Sequence, residues 1–203
     1  MDITAAHQLT DWRRAMARLY EQVRTAPDAQ TGHDVWRAGR DELFRHHPQS
    51  PLPTGDPLRR TGIPYGPYRP ELRFELRIDP VDQPQRYEVD TGADGVTVVE
   101  QLGSVRLPGP FEATIAVWWL PQYGGGLFLP LRDGTAGESS YGAGRYLLDT
   151  AKSADLGSVD DRLIVDLNFL YHPSCRYDPA WVCPLAPPEN RIAARIEAGE
   201  QMA

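Results

Sequence analysis

Residues 71–78 read ELRFELRI. Leu72, Phe74, Leu76 and Ile78 alternate with Glu71, Arg73, Glu75 and Arg77, and a period of two is that of a β-strand with one face buried and the other in water. Short runs of the same kind follow at 87–90, 95–101, 104–107, 111–120, 127–132, 145–149, 163–170 and 191–197, each bounded by Gly, Pro or Asp turn chemistry. Eight or nine short strands at this spacing predict a mainly β (α+β) fold, an antiparallel β-barrel or sandwich.

Before residue 71 the pattern is different. Over 4–23 the apolar residues Leu9, Trp12, Met16, Leu19 and Tyr20 recur at helical spacing, and over 33–45 Val35, Trp36, Gly39, Leu43 and Phe44 do the same. Two N-terminal helices (1–46), packed on the β part (71–203), are therefore expected. The second ends before Pro48, because a residue preceding proline resists the α region. Residues 47–70, HPQSPLPTGDPLRRTGIPYGPYRP, carry seven prolines and predict an extended strap without regular structure. With 203 residues the chain fits a single domain, 1–203.

Composition narrows the function classes. A formal charge of −7 and scattered arginines offer no field for phosphate backbones, so no nucleic-acid partner is expected. The longest apolar run, 115–120, is too short to cross a bilayer, and the start MDITAAHQLTDWRR lacks the apolar core of a signal peptide. A soluble, cytoplasmic protein without a membrane partner is the expectation. In that compartment Cys175 and Cys183 read as thiols rather than a bridge.

Three segments carry candidate chemistry. In FLPLRDGTAGESSYGAGRYLLD (128–149) a glycine-rich loop joins two strand patterns, with Arg132 ending one and Arg145 starting the next. Two guanidinium groups on paired strands need something negative between them, either a bound anion or the internal acids Asp133, Glu138 and Asp149. In RLIVDLNFLYHP (162–173) Asp166 and Asn168, two apart on a strand, point the same way; they are solvated decoration on an outer face, or a preplaced acid and amide in a polar mouth.

The third segment, YHPSCRYDPAWVCPLAPPENRI (171–192), holds both cysteines, five prolines and the pair Glu189–Asn190. His172, Cys175 and Cys183 are three ligands of the four a structural zinc needs, the fourth having to come from His46 or His47. Cys175 near His172 is also a chemically reasonable nucleophile, although most free cysteines are small buried hydrophobes. Glu189 and Asn190 either close over a pocket or cap the last strand. His46 and His47 also suit the C-terminus of the second helix as cations.

The chain resembles the uncharacterised prokaryotic family catalogued as domain of unknown function 1684. The resemblance rests on HPQSPLP (47–53), YGPYRPELRF (65–74), FLPLRDGTAGESSYGAGRYL (128–147) and DLNFLYHPSCRYDPAWVCPLAPPENRIAARIEAGE (166–200). It implies a one-domain protein whose signature positions are His47, Ser50, Arg132, Asp133, Tyr141, Arg145, Asp166, Asn168, Tyr171, Cys175, Cys183, Glu189 and Asn190, and it implies no established reaction. His172 stands where the family pattern has Asn before Pro, and Arg69 where it has Asp.

The functional expectation is a small-molecule binding protein or enzyme, of unknown reaction and cofactor, with a polar pocket at the mouth of the β structure. An anionic or polar metabolite is held by Arg132, Arg145, Asn168, Tyr171, Asn190 and His47, with Asp166, Glu189 and Tyr141 as the acid/base groups. The alternatives are a metal protein using His and Cys ligands, and a structural or interaction module built on internal salt bridges. Oligomeric state is not legible in the sequence.

Overall fold

A computed structural model describes residues 2–92 and 95–203. Two helices come first, α1 (Ile3–Arg24) and α2 (Ala29–His46). Each starts on an aspartate whose side chain accepts an otherwise orphaned backbone N–H: Asp2 from Ala5 at 2.7 Å and Asp28 from Thr31 at 2.8 Å. Gly39 lets the two helices meet, since a Cβ there would collide with the Leu19 side chain. Met16, Leu19 and Tyr20 of α1 and Trp36 and Phe44 of α2 are buried as the periodicity predicts. The strap contains one short helix, α3 (Leu58–Thr61), where irregular structure was expected; the Arg59 side chain donates to the carbonyls of Leu52, Pro53 and Arg45 and holds the turn.

Eight strands follow among the described residues: β1 (Arg73–Leu76), β2 (Arg86–Asp90), β3 (Val96–Leu107), β4 (Ala113–Trp119), β5 (Leu127–Leu131), β6 (Arg145–Asp149), β7 (Ser158–Val159) and β8 (Arg162–Asp166). They form two antiparallel sheets, β2-β3-β4-β5-β6 and β1-β8-β7, so the architecture is an open sandwich with helices packed on it and not a closed barrel. One core cluster joins the layers, with Val105, Ile115, Val117, Leu129 and Leu147 from the large sheet, Val165 from the small one, and Leu19 and Trp36 from the helices.

Three strand expectations are corrected. The runs 95–101 and 104–107 are one strand, β3, interrupted by a bulge between Gln101 and Gly103. A Cβ at Gly103 would lie 2.5 Å from the Asp79 carbonyl, and this close approach is where the chain leaving β1 bridges to Ser104. Residues 191–197 form no strand. They bridge to Arg132 only at Arg191, and farther on the Ile196 carbonyl is taken by a side chain, Arg145, at 2.8 Å. Finally, β8 stops at Asp166 rather than at 170, because the Asp166 carboxylate accepts the Asn168 N–H at 3.1 Å and turns the chain into a 3-10 helix, Leu167–Phe169.

The proline-rich segment 171–192 covers the second face of the large sheet. Ala116, Trp118, Phe128 and Tyr146 make a smaller buried cluster there, with Cys183 packed against it. Asn190 locks the cover in place. Continuing the β4–β5 register from Trp118↔Phe128 puts Ala116 opposite Pro130, which has no N–H to donate. The Asn190 amide supplies the missing donors, giving 2.8 Å bonds to both the Ala116 and Pro130 carbonyls, while its Oδ1 accepts the buried Trp118 Nε1–H at 2.8 Å.

Candidate functional site

The sequence places a ligand between Arg132 and Arg145, and the structure does not bring these two together. Arg132 is exposed, and its Nε donates to the Gly142 carbonyl at 2.8 Å. Arg145 is 1% exposed. Its guanidinium donates to Asp133 Oδ2 at 2.5 Å and to the carbonyls of Ala198, Ile196 and Glu200 at 2.6, 2.8 and 3.1 Å. The internal-acid alternative is the one realised at this position: Arg145 and Asp133 staple the C-terminal segment to the large sheet.

A second buried pair lies nearby. Arg40 of α2 meets Glu200 Oε1 through Nη2 at 2.5 Å and through Nε at 2.8 Å. Glu200 Oε2 accepts the His172 N–H at 2.6 Å and the Tyr177 hydroxyl at 3.0 Å. Burial is the strongest single influence on Arg40 and opposes its charge, but Glu200, together with Tyr65, Tyr20 and Tyr177, holds the guanidinium above its ordinary pKa. Arg40 and Glu200 were missed in the sequence. The signal for Arg40 was present: it falls four residues from Trp36 and from Phe44, inside the buried stripe of α2. Glu200 appeared in the sequence only as the last residue of the family-like stretch 166–200, with no role attached.

The other predicted residues scatter among structural roles. Glu189 Oε1 accepts the Tyr87 hydroxyl at 2.9 Å. The Asn190 amide is fully used in the clasp. His47 follows the end of α2, where Nδ1 accepts the Gln49 N–H at 3.0 Å and Nε2 lies 3.4 Å from Asp11. The Tyr171 ring lies under the Arg40 guanidinium, 4.8 Å from its centroid. His172 Nε2 accepts the Tyr141 N–H at 3.2 Å while Nδ1 faces Glu200 at 3.7 Å, so both ring nitrogens face partners other than Cys175. Burial pushes His172 down to about 2, which keeps the ring neutral. Among the described residues no three His, Cys, Asp or Glu side chains gather as metal ligands.

Asp166 stands apart from this network. It lies at the C-terminal end of β8, 1% exposed, with Oδ1 accepting the Asn168 backbone N–H and, at 2.7 Å, the Asn168 side-chain amide. Asn168 in turn pins the strap, donating to the Arg69 carbonyl at 2.9 Å and accepting the Arg69 N–H at 2.8 Å. Its own carbonyl lies 3.0 Å from His33 Nε2. A carbonyl only accepts, which assigns the His33 proton to Nε2 and leaves Nδ1 as a buried lone pair without a partner among the described residues. Burial pushes the Asp166 carboxyl up to about 6, against the Asn168 hydrogen bonds and the field of Arg73 that favour its charge.

Asp166 forms part of the wall of a cavity of about 330 Å³ between the helices and the small sheet. Val23, Leu156, Ile164 and Phe169 make its apolar side; Arg24, Asp28 and Arg73 make its polar side. Arg73 shares one guanidinium nitrogen with Glu75 at 3.0 Å and Arg24 donates to the Asp155 carbonyl at 2.7 Å, so each retains further N–H groups at a part-exposed position. Asp166 and Asn168 were legible as a pair, although the sequence put them on one face of a strand where the chain in fact turns. Arg24, Arg73 and His33 were missed, because each sits in a segment whose periodicity gave it a plain surface or helix role.

Comparison with known proteins agrees with the resemblance read in the sequence. The family model described as protein of unknown function (DUF1684) matches residues 60–201. A solution NMR structure of an uncharacterised protein of Haloarcula marismortui is similar at 27% identity and a TM-score of 0.58, covering 85% of this chain and 94% of that one. No curated protein matches. The chain belongs to the DUF1684 family.

Proposed function

We propose that this member of the DUF1684 family binds, and as an enzyme would act on, a small polar metabolite carrying an anionic group, in the cavity walled by Arg24, Arg73 and Asp166. The observation that carries the reading is a carboxyl poised near neutrality in the wall of a 330 Å³ cavity with two guanidinium groups beside it. The anionic group pairs with Arg73 and Arg24 in bidentate fashion, as a planar guanidinium favours. The ligand's donor then faces Asp166, which at pH 6–7 is available both as acid and as base. The apolar wall excludes water from one side of the ligand. This replaces the arginine pair first expected from the glycine loop with a different one and keeps Asp166 as the acid/base group, while Asn168, expected to hold the ligand, instead orients the carboxylate. A cytoplasmic setting, with its store of anionic metabolites, fits the reading.

A thermal-stability screen of the whole protein against pooled anionic metabolites tests it, with Arg73→Met and Asp166→Asn as companions. The expected result is a compound that raises the melting temperature of the wild type and of neither variant. A compound that stabilises all three alike, or a screen in which no anionic compound shifts the wild type, sinks the proposal.

A further inference from the structure

Of the three acids that flank the glycine loop, Asp133 answers Arg145 and Glu138 pairs with Arg195 at 2.7 Å. Asp149 is different. It is 4% exposed, and its Oδ1 is buried without a hydrogen-bond partner among the described residues. Lys152 Nζ lies 3.7 Å from Oδ2, beyond hydrogen-bond length, and that lysine side chain is 66% exposed. A buried carboxylate is thus left with one orphaned oxygen and a solvated cation for a neighbour, an arrangement that costs stability until a donor completes it.

The local fold holds these two charges side by side. Asp149 ends β6 opposite Phe128 of β5, and it exchanges two 3.0 Å backbone bonds with Ala154. The 3-10 turn between them, Thr150–Lys152, is fixed to the start of β5, where the Leu127 N–H donates to Thr150 Oγ1 at 2.7 Å. Asp149 and Lys152 stand in the wall of a cavity of about 260 Å³, to which α1 contributes Arg13. Leu120, Phe128 and Val182 make its apolar side. It shares no wall residue with the Asp166 cavity. A second space beside Asp149 and Lys152, about 90 Å³ and reaching Arg40, has the size of a few waters.

We propose that the Asp149 cavity is a second binding site, for an α-amino acid with an apolar side chain, its ammonium on Asp149 and its carboxylate on Lys152 and Arg13. Charge selects the class. A simple anion meets the Asp149 carboxylate and a simple cation meets Lys152 and Arg13, whereas a zwitterion satisfies both signs. Separation narrows it further: an acid and a cation 3.7 Å apart match a ligand whose two charged groups share one carbon. Pockets for drug-sized ligands run from roughly 300 to 1,000 Å³, so 260 Å³ suits a smaller metabolite. The apolar side takes the ligand's side chain. Burial pushes the Asp149 carboxyl above its ordinary pKa while Lys152 and Arg13 act against it, and a bound ammonium adds to their side.

The test is isothermal titration calorimetry of the full chain with L-leucine, which should bind with a Kd below about 1 mM. Three relatives of leucine each remove one feature. Isoamylamine lacks the carboxylate, isocaproate lacks the ammonium, and ε-aminocaproate keeps every atom but holds the charges far apart. Each should bind at least about tenfold more weakly than leucine, a comparison that needs no variant. On the protein, Asp149→Asn and the double change Arg13→Met with Lys152→Met should each lose at least about tenfold in affinity; the double change touches only exposed side chains and so spares the fold. The proposal is overturned if leucine does not bind, if the amine or the acid alone binds as tightly as leucine, or if the variants bind leucine like the wild type.

Discussion

Arg145 and Asp166 are equally hidden, each 1% exposed, yet their surroundings are opposite. Arg145 meets a carboxylate and three backbone carbonyls, and its charge is matched on the spot. Asp166 meets one amide side chain and one N–H, and among the described residues no cation stands within ion-pair distance of it. A buried charge with a complete partner set is part of the scaffold. A buried charge with an incomplete set beside a cavity costs stability, and such a cost is tolerated where a ligand completes the set. The first kind closes the fold; the second leaves a place for chemistry.

The largest break in this contrast comes from the matched side. Glu200→Ala leaves Arg40 buried and unpaired, and strips the His172 N–H and the Tyr177 hydroxyl of their acceptor. We expect a loss of about 4 kcal/mol in chemical denaturation, the size found for breaking a buried pair. A loss below about 1 kcal/mol would place Glu200 outside the closing network.

Asn190→Ala comes next. The change leaves the Ala116 and Pro130 carbonyls and the Trp118 indole N–H without partners inside the clasp. An expected loss of about 2 kcal/mol follows from orphaning buried polar groups, some of which water recovers as the clasp loosens. Far-UV circular dichroism should stay near that of the wild type, because the strands themselves are intact. Trp118 fluorescence should shift toward that of a more exposed indole, and an unchanged spectrum would argue against Asn190 as the lock.

The same contrast explains what the sequence could and could not say. Period-two and helical patterns gave away both helices and most of the large sheet, since those elements bury one face each and the burial is written in the spacing. The 191–197 run and the end of β8 were misread because side chains, Arg145 and Asp166, take over backbone groups that a strand would use. A hydrogen bond from residue 145 to residue 196 leaves no periodic trace. Asp166 and Asn168 were legible as candidates from residue type and position, whereas Arg145 was a candidate for the wrong reason: its like-charged neighbour in the pattern, Arg132, faces elsewhere, and Asp133 answers it. Arg24 and Arg73 come to the cavity from α1 and β1, and only the packing of helix on sheet brings them there.

The smallest expected effect has the opposite sign and bears on the unmatched side. The Asp166 pKa is raised from 3.8 to about 6, so between those values the folded state binds more protons than the unfolded chain. Stability therefore falls as pH rises through this window, and at pH 7 the ionised carboxylate is a net cost. Asp166→Asn keeps an acceptor for the Asn168 N–H and removes the charge. The variant should be more stable than wild type at pH 7 by about 1–2 kcal/mol and level with it at pH 4, as denaturation curves at the two pH values would register. It should also lose the ligand-induced rise in melting temperature. A variant that is less stable at both pH values would move Asp166 to the matched side, with Arg145 and Glu200, and leave the cavity without its acid.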